Sequence, residues 1–168
     1  MRNLVIVGAG EYYQRIAGPS LAKLQQEGLF KVICAVDILE EKQVNFASLS
    51  SVEYRQRKQN QSLSDLLSEL KDLDPIILLG HVNYLHTADT KDLLENDFTV
   101  MVEKPYATTQ EQLTVLQELN NKYPDKLVLL EYYLTMKTTP LLLMADKLKE
   151  NSFYFQNKEI FAYHGTAL

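Results

Sequence analysis

Two short runs carry residue types that could do chemistry: Gly8-Ala9-Gly10 and Glu103-Lys104-Pro105. The first follows four apolar residues, Leu4-Val5-Ile6-Val7, and leads through Glu11 and Tyr12 into a helix-forming stretch. A buried strand, a glycine turn and a helix N-terminus together make a phosphate-binding device. The glycines let backbone amides approach a pyrophosphate, and the helix dipole favours its negative charge. Gly8, Gly10, Glu11 and Tyr12 are therefore candidate cofactor-binding residues. Gly-x-Gly alone is a common turn, and Tyr13 stands where the full fingerprint has its third glycine. The order of elements adds specificity, because a second apolar strand, Lys31 to Val36, ends in Asp37. That carboxylate can accept hydrogen bonds from an adenosine ribose diol and would repel a 2′-phosphate. Ile38 and Leu39 come next, with no Arg or Lys, so NAD is favoured over NADP. The competing reading is a generic glycine turn, with Asp37 only capping the next helix.

The second run follows another apolar strand. A lysine just past a buried strand can be partly desolvated, which would suit it to proton transfer or to stabilising a developing alkoxide. Glu103 could hold that lysine or bind a ribose, and the Lys104–Pro105 bond is open to either isomer. Spacing alone favours the plainer alternative, a solvated turn lysine beside a glutamate that complements a helix dipole. Between the two runs lies His81-Val82-Asn83-Tyr84-Leu85-His86, again past an apolar strand. His81 could equally be a satisfied histidine at a strand end. The glycine turn, Asp37, His81–His86 and Glu103-Lys104-Pro105 all fall at the carboxyl ends of strands, where open parallel sheets bind their ligands.

The elements that must position these groups alternate. Asn3 to Val7 reads as a strand. A helix runs from about Glu11 to Glu27, stopped by Gly28, with a kink or break near Ala17 because Pro19 lacks an amide and clashes with the preceding turn. Lys31 to Val36 is the second strand, and Glu40 to Leu49 reads as a short helix. Ser50 to Ser62 is polar throughout and reads as a solvated loop. Leu63 to Leu73 reads as a helix capped by Ser62 or Ser64. Pro75-Ile76-Ile77-Leu78-Leu79-Gly80 is continuously apolar, as expected of a parallel strand covered on both faces. A helix from about Tyr84 to Asn96 follows, then a strand from Phe98 to Val102. Next comes a helix to about Lys122, capped by Thr108 or Thr109, with Glu111 three residues after Thr108 matching a capping box. Lys126 to Glu131 is the fifth strand. This alternation predicts an α/β fold, a doubly wound parallel sheet of Rossmann type. Residues 1–150 form a dinucleotide-binding domain. Beyond an irregular stretch, Pro140 opens a last helix, and residues 151–168 form an aromatic, strand-like tail.

Composition narrows the partners. The 168 residues suffice for about one domain, and a hydrophobic content of 46% with 23% charged residues is ordinary for a globular protein. A net charge of −5 and the lack of a long basic run argue against nucleic acid as a partner. No apolar run approaches the ~20 residues of a membrane span, and the apolar start is too short for a secretory signal. Cys34 is the sole cysteine. Lying on a strand, it reads as a buried, inert thiol, and a reducing cytoplasm fits. No metal-ligand cluster is expected.

Val102-Glu103-Lys104-Pro105, preceded by Asn83-x-x-His86 and by Gly8-x-Gly10, resembles the family of glucose–fructose oxidoreductase and inositol dehydrogenase (Gfo/Idh/MocA), and residues 1 to about 150 follow that family's order. The resemblance implies an NAD(P)-dependent oxidoreductase acting on a sugar- or cyclitol-like hydroxyl. It implies Lys104 at the reacting oxygen, Glu103 and His86 near the nicotinamide ribose, and Asn83 shaping its loop. Lys137 and Pro140 resemble the family's Arg-x-x-Pro step, where lysine cannot reproduce the planar arginine fork. His81 and Tyr13 depart from the pattern. Family members carry a second, substrate-binding domain, and residues 159–163 resemble its opening strand, while His164 in the tail is read as a bystander. Without that second domain little turnover is expected. An alternative from a different class is a non-catalytic nucleotide-sensing or assembly module, forming a homo-oligomer through its C-terminal strands. S-adenosylmethionine would also suit a glycine loop followed by an acid, but gives Glu-Lys-Pro no role.

Overall fold

Central strands with unbroken apolar runs need cover on both faces, and this chain builds its sheet around two such runs, Leu4–Val7 and Ile76–Leu79. The structure, a computed structural model, describes residues 1–40 and 52–130. Six strands form one parallel sheet: β1 (Arg2–Val7), β2 (Phe30–Asp37), β3 (Glu53–Gln56), β4 (Ile76–Leu79), β5 (Thr99–Val102) and β6 (Leu127–Leu129). Their order is β3-β2-β1-β4-β5-β6, with every neighbouring pair parallel. The chain winds outward from β1 through β2 to β3, then returns to β4 and winds the other way. The direction reverses between β1 and β4, which is where such sheets open a ligand crevice.

Side chains of β1 and β4 alternate between two apolar clusters. Val5, Val7, Ile77 and Leu79 face one, with Leu63, Leu67, Leu93, Leu94 and Leu116 from the helices. Leu4, Ile6, Ile76 and Leu78 face the other, with Tyr13. Cys34 is buried on β2, and burial pushes its thiol up to about 12, so the inert-thiol reading holds. Residues Met1–Leu130 form one compact unit.

Several boundaries differ from the sequence reading for identifiable reasons. The first helix does change at Ala17, but as a π-helical segment, Tyr12–Ala17, that passes into α1 (Gly18–Gln26), with Pro19 in its first turn. The missing proline amide thus falls where the winding changes from π to α. Ser50 to Ser62 is not simply a loop. Its Glu53–Gln56 segment is the edge strand β3, paired with β2 from Cys34 to Asp37. An edge strand with little apolar cover needs no hydrophobic pattern, so its polar residues conceal it. The third helix is α2 (Leu63–Leu67) tightening into a 3₁₀ segment, Ser68–Leu73, and Ser62 is its cap, accepting from the Asp65 amide at 3.1 Å. Helix α3 spans Asn83–Glu95. Helix α4 (Gln110–Lys122) is capped by Thr109, the second of the two expected candidates. Thr109 Oγ1 accepts from the Gln112 amide, and the Gln112 side chain accepts from both the amide and hydroxyl of Thr108. Gln112 thus does the work assigned to Glu111. The expected helix over 40–49, the stretch 132–150 and the aromatic tail with its proposed oligomer lie outside the described residues, apart from Glu40.

Candidate active site

Three loops leave the sheet side by side. Each of Gly8, Gly80 and Glu103 is the first residue past its strand, and each donates its amide to the last carbonyl region of the neighbouring strand: Gly8 to Val36 at 2.8 Å, Gly80 to Val7 at 2.8 Å, Glu103 to Leu79 at 2.9 Å. These bonds set the glycine turn, the His81–His86 loop and the Glu103-Lys104-Pro105 turn at one level along the carboxyl edge. Gly8 has φ +96°, and a Cβ built on it would lie 2.5 Å from the His81 amide nitrogen. The turns after β1 and β4 therefore touch backbone to backbone, which only glycine permits.

A cleft of about 160 Å³ opens at this junction, lined by Tyr12, Tyr13, Gly80, His81, Asn83, His86, Glu103 and Lys104. Five predicted site residues, Tyr12, Asn83, His86, Glu103 and Lys104, thus share one cavity wall. Gly8, Gly10, Glu11 and Asp37 lie outside that wall, along the same edge. Lys104 is exposed, which corrects the expectation of partial desolvation: the turn leaves the sheet at Glu103, and its next residue already faces water. The Lys104–Pro105 bond is cis.

Tyr13 is the residue that sequence reasoning noticed only as a departure. Its ring is buried, and its hydroxyl donates to Glu103 Oε1 at 2.9 Å. A Cβ on Gly80 would stand 2.3 Å from that ring, so Tyr13 occupies the space that Gly80 leaves. The side chain at the third-glycine position thereby ties the start of the first helix to the Glu-Lys-Pro turn.

His86 is fully buried, with Nε2 3.0 Å from the His81 carbonyl and Nδ1 3.1 Å from the Pro105 carbonyl. A neutral ring has one N–H and donates to one of these two acceptors. Burial, with the neighbouring His81 adding to it, holds His86 below its ordinary value, against the pull of the two carbonyls and Glu103. His81 Nε2 meets Asp89 Oδ2 at 2.5 Å, and Arg57 forks onto both oxygens of Asp89 at 2.7 and 2.8 Å. Burial opposes the Asp89 charge, but the bonds from His81 and Arg57 outweigh it and hold the carboxyl below its usual range. Neither Arg57 nor Asp89 was a sequence candidate, since each looks like an ordinary surface charge.

The residues fit a dinucleotide. A Cβ on Gly10 would meet nothing within 4 Å, so the turn is open where a phosphate must come close to backbone. Asp37 uses Oδ1 to accept from the amides of Ile38 and Leu39, at 2.7 and 3.2 Å. These bonds order the turn after β2, while the helix that Asp37 could cap lies outside the described residues; among the described residues Oδ2 has no hydrogen-bond partner and faces no competitor for a diol. Among the described residues no cluster of metal-ligating side chains occurs, and no helix is long and apolar enough to cross a membrane.

Against known proteins, the model of the oxidoreductase family with an NAD-binding Rossmann fold matches residues 2–131. No curated protein matches the chain by sequence. Among solved structures, the chain is similar to the WlbA dehydrogenase from Thermus thermophilus, determined with NAD and UDP-GlcNAcA, at 17% identity and TM-score 0.65, covering 89% of this chain and 47% of that one. It is also similar to a 3-ketoreductase from Actinomadura kijaniata, determined with NADP and TDP-benzene, at 21% identity and TM-score 0.68, covering 89% and 42%. An oxidoreductase from Thermotoga maritima matches at 21% identity and TM-score 0.68, covering 89% and 43%. At these identities the likeness is one of fold. The chain spans less than half the length of these structures.

Proposed function

Because the chain belongs to the oxidoreductase family with an NAD-binding Rossmann fold, Gfo/Idh/MocA, we propose that the carboxyl edge of its sheet holds a nicotinamide dinucleotide for oxidation–reduction at a sugar- or cyclitol-like hydroxyl. The observation that carries this reading is the alignment of the open Gly10 turn, Asp37 and the Glu103–Lys104 cleft along one sheet edge. Amides of the Gly8–Tyr12 turn bind the pyrophosphate. Asp37 Oδ2 accepts from the adenosine ribose, and Glu103, His86 and Asn83 shape the nicotinamide end. When bound, the nicotinamide supplies two-electron chemistry by exchanging a hydride with the substrate carbon. Lys104 takes the proton from the reacting hydroxyl, or returns it in the reverse direction. Being exposed in residues 1–130, Lys104 needs further cover before it can work away from water. A sugar-like substrate accords with the sugar nucleotide recorded with the Thermus dehydrogenase.

NAD is preferred over NADP in this reading. Arg57 donates its amide to the Asp37 carbonyl, yet its guanidinium turns away to Asp89 and the Gln61 carbonyl. A 2′-phosphate would thus meet the Asp37 carboxylate without that arginine to offset it. The test is titration of NADH and NADPH by calorimetry. Micromolar NADH binding, weaker NADPH binding, and a loss of about tenfold in NADH affinity for Asp37→Ala are expected, the size of one charge-assisted hydrogen bond. Absence of binding by either cofactor at millimolar concentration would overturn the proposal.

A further inference from the structure

The cofactor reading gives Arg57, Asp89 and His81 no task, although all three are largely buried, with side-chain exposures of 13%, 6% and 12%. Arg57 follows β3, Asp89 sits on α3, and His81 lies in the loop between β4 and α3. Three of the five N–H groups of Arg57 are committed: Nη1 and Nη2 grip Asp89, and Nε donates to the Gln61 carbonyl at 2.8 Å. An ionised carboxylate only accepts hydrogen bonds. The hydrogen shared with Asp89 is therefore on His81 Nε2, which leaves Nδ1 as the other ring nitrogen. That Nδ1 is buried and has no partner among the described residues. Shut off from solvent, this atom is not one through which His81 touches a ligand.

Its influence runs through its backbone instead. The His81 carbonyl faces His86 Nε2, and His86 Nδ1 faces the carbonyl of Pro105, the residue after Lys104. Hydrogen bonds lead from Arg57 through Asp89 to His81, and the buried His86 ring lies between the His81 and Pro105 carbonyls, donating to one and held by burial against the other. These contacts cross from the end of β3 to the turn after β5. We infer that His81, clamped by Asp89 and Arg57, is a positioning residue that fixes His86 and the Lys104–Pro105 turn against the cleft. Its part in cofactor binding rests on the reading of that cleft as the nicotinamide end. An apolar cluster of the same volume would be at least as stabilising as a buried ionic set, but it could not orient the His81 carbonyl. The clamp fixes a ring angle, and the ring angle fixes the loop.

Two substitutions separate positioning from mere packing. His81→Gln supplies an amide N–H that can donate to Asp89 in place of Nε2, whereas His81→Leu keeps bulk and donates nothing. The ¹⁵N signals of the His86 ring and of the Lys104 amide are read in the full chain without ligand, and NADH affinity is then measured calorimetrically. His81→Leu should shift both sets of signals and weaken NADH binding about tenfold, the scale typical of lost outer-shell support. His81→Gln should restore the signals and bind NADH within about threefold of the parent. If His81→Leu does not fold, Asp89→Asn carries the same test, because it removes the charge at the hub and keeps the shape. Unchanged His86 and Lys104 signals in His81→Leu or Asp89→Asn would overturn the inference, and so would equal disturbance in His81→Gln and His81→Leu. A parent protein that ignores NADH while its His86 signals respond to the clamp would sink the cofactor reading and leave the positioning intact.

Discussion

Gly8 and Gly10 lie two residues apart in one turn, and alanine should do opposite things at each. At Gly8 the φ of +96° alone costs an L-residue about 1–2 kcal/mol. The new Cβ would also stand 2.5 Å from the His81 nitrogen, 2.6 Å from the Gly80 carbonyl carbon and 2.7 Å from its oxygen. These are backbone atoms, and the bond from Gly80 to Val7 holds them in place. Restoring ordinary contact at 3.4 Å requires the β4 turn to retreat by up to about 0.9 Å, an overpacking that adds roughly 1–3 kcal/mol. Gly8→Ala should therefore lose about 2–5 kcal/mol out of a total near 5–15 kcal/mol. At Gly10 the methyl meets nothing within 4 Å, and the stiffer unfolded chain favours alanine by about 0.4–1 kcal/mol. Gly10→Ala should thus unfold at the same or higher urea concentration. It should nevertheless bind NADH at least about tenfold more weakly, because the methyl would occupy the approach of the pyrophosphate. Urea unfolding and calorimetric NADH titration of both variants decide the matter. A Gly8→Ala protein within 0.5 kcal/mol of the parent, the usual range for a neutral surface change, would refute the packing argument. A Gly10→Ala protein with parental NADH affinity would refute the assignment of the turn to a pyrophosphate.

Asp89→Ala removes one partner of a buried pair and strands the Arg57 guanidinium, so chemical denaturation should show a loss of about 3–5 kcal/mol. Arg57→Met combined with Asp89→Leu should lose less than the single change. The folded protein should weaken in acid in two stages. His86 lies below its ordinary 6.5 when folded, so its contribution is complete above that pH and declines as pH falls through that value. Asp89 lies below its ordinary 3.8, so its contribution is complete above that pH and is lost below it. Thermal unfolding scanned from pH 8 to 3 should show both declines, and Asp89→Asn should lack the second. Lys104→Met changes an exposed side chain, so its unfolding free energy should stay within about 0.5 kcal/mol of the parent while any hydride-transfer activity falls.

What the sequence revealed follows from what each part of the fold demands of it. β1 and β4 are buried on both faces, and their unbroken apolar runs announce it. β3 is an edge strand carrying Glu53, Arg55 and Gln56, and nothing in its residue types separates it from a loop. Thr108 and Thr109 are adjacent, each with an acceptor-bearing side chain three residues on, so only the backbone conformation decides which one caps α4. Site residues that form contiguous motifs, Gly8-x-Gly10 and Glu103-Lys104-Pro105, were legible because strand ends place them. The clamp was not, because Arg57 and Asp89 are 32 positions apart and meet only after the chain has crossed to α3. The Tyr13–Glu103 bond spans 90 positions and is equally silent. Lys104 sits where its motif implies, but its exposure depends on where the turn leaves the sheet, which residue type does not encode.

The central claim is that one edge of this sheet, and no other surface, receives a nicotinamide dinucleotide. Mapping amide ¹⁵N shifts during an NADH titration tests it most directly. The account predicts saturable shifts at Gly8 to Tyr12, Asp37, His81 to Asn83 and Glu103 to Lys104, with Leu29, Asp74 and Lys126 at the opposite ends of the strands unmoved. Shifts confined to that opposite edge, or none at saturating NADH, would contradict it.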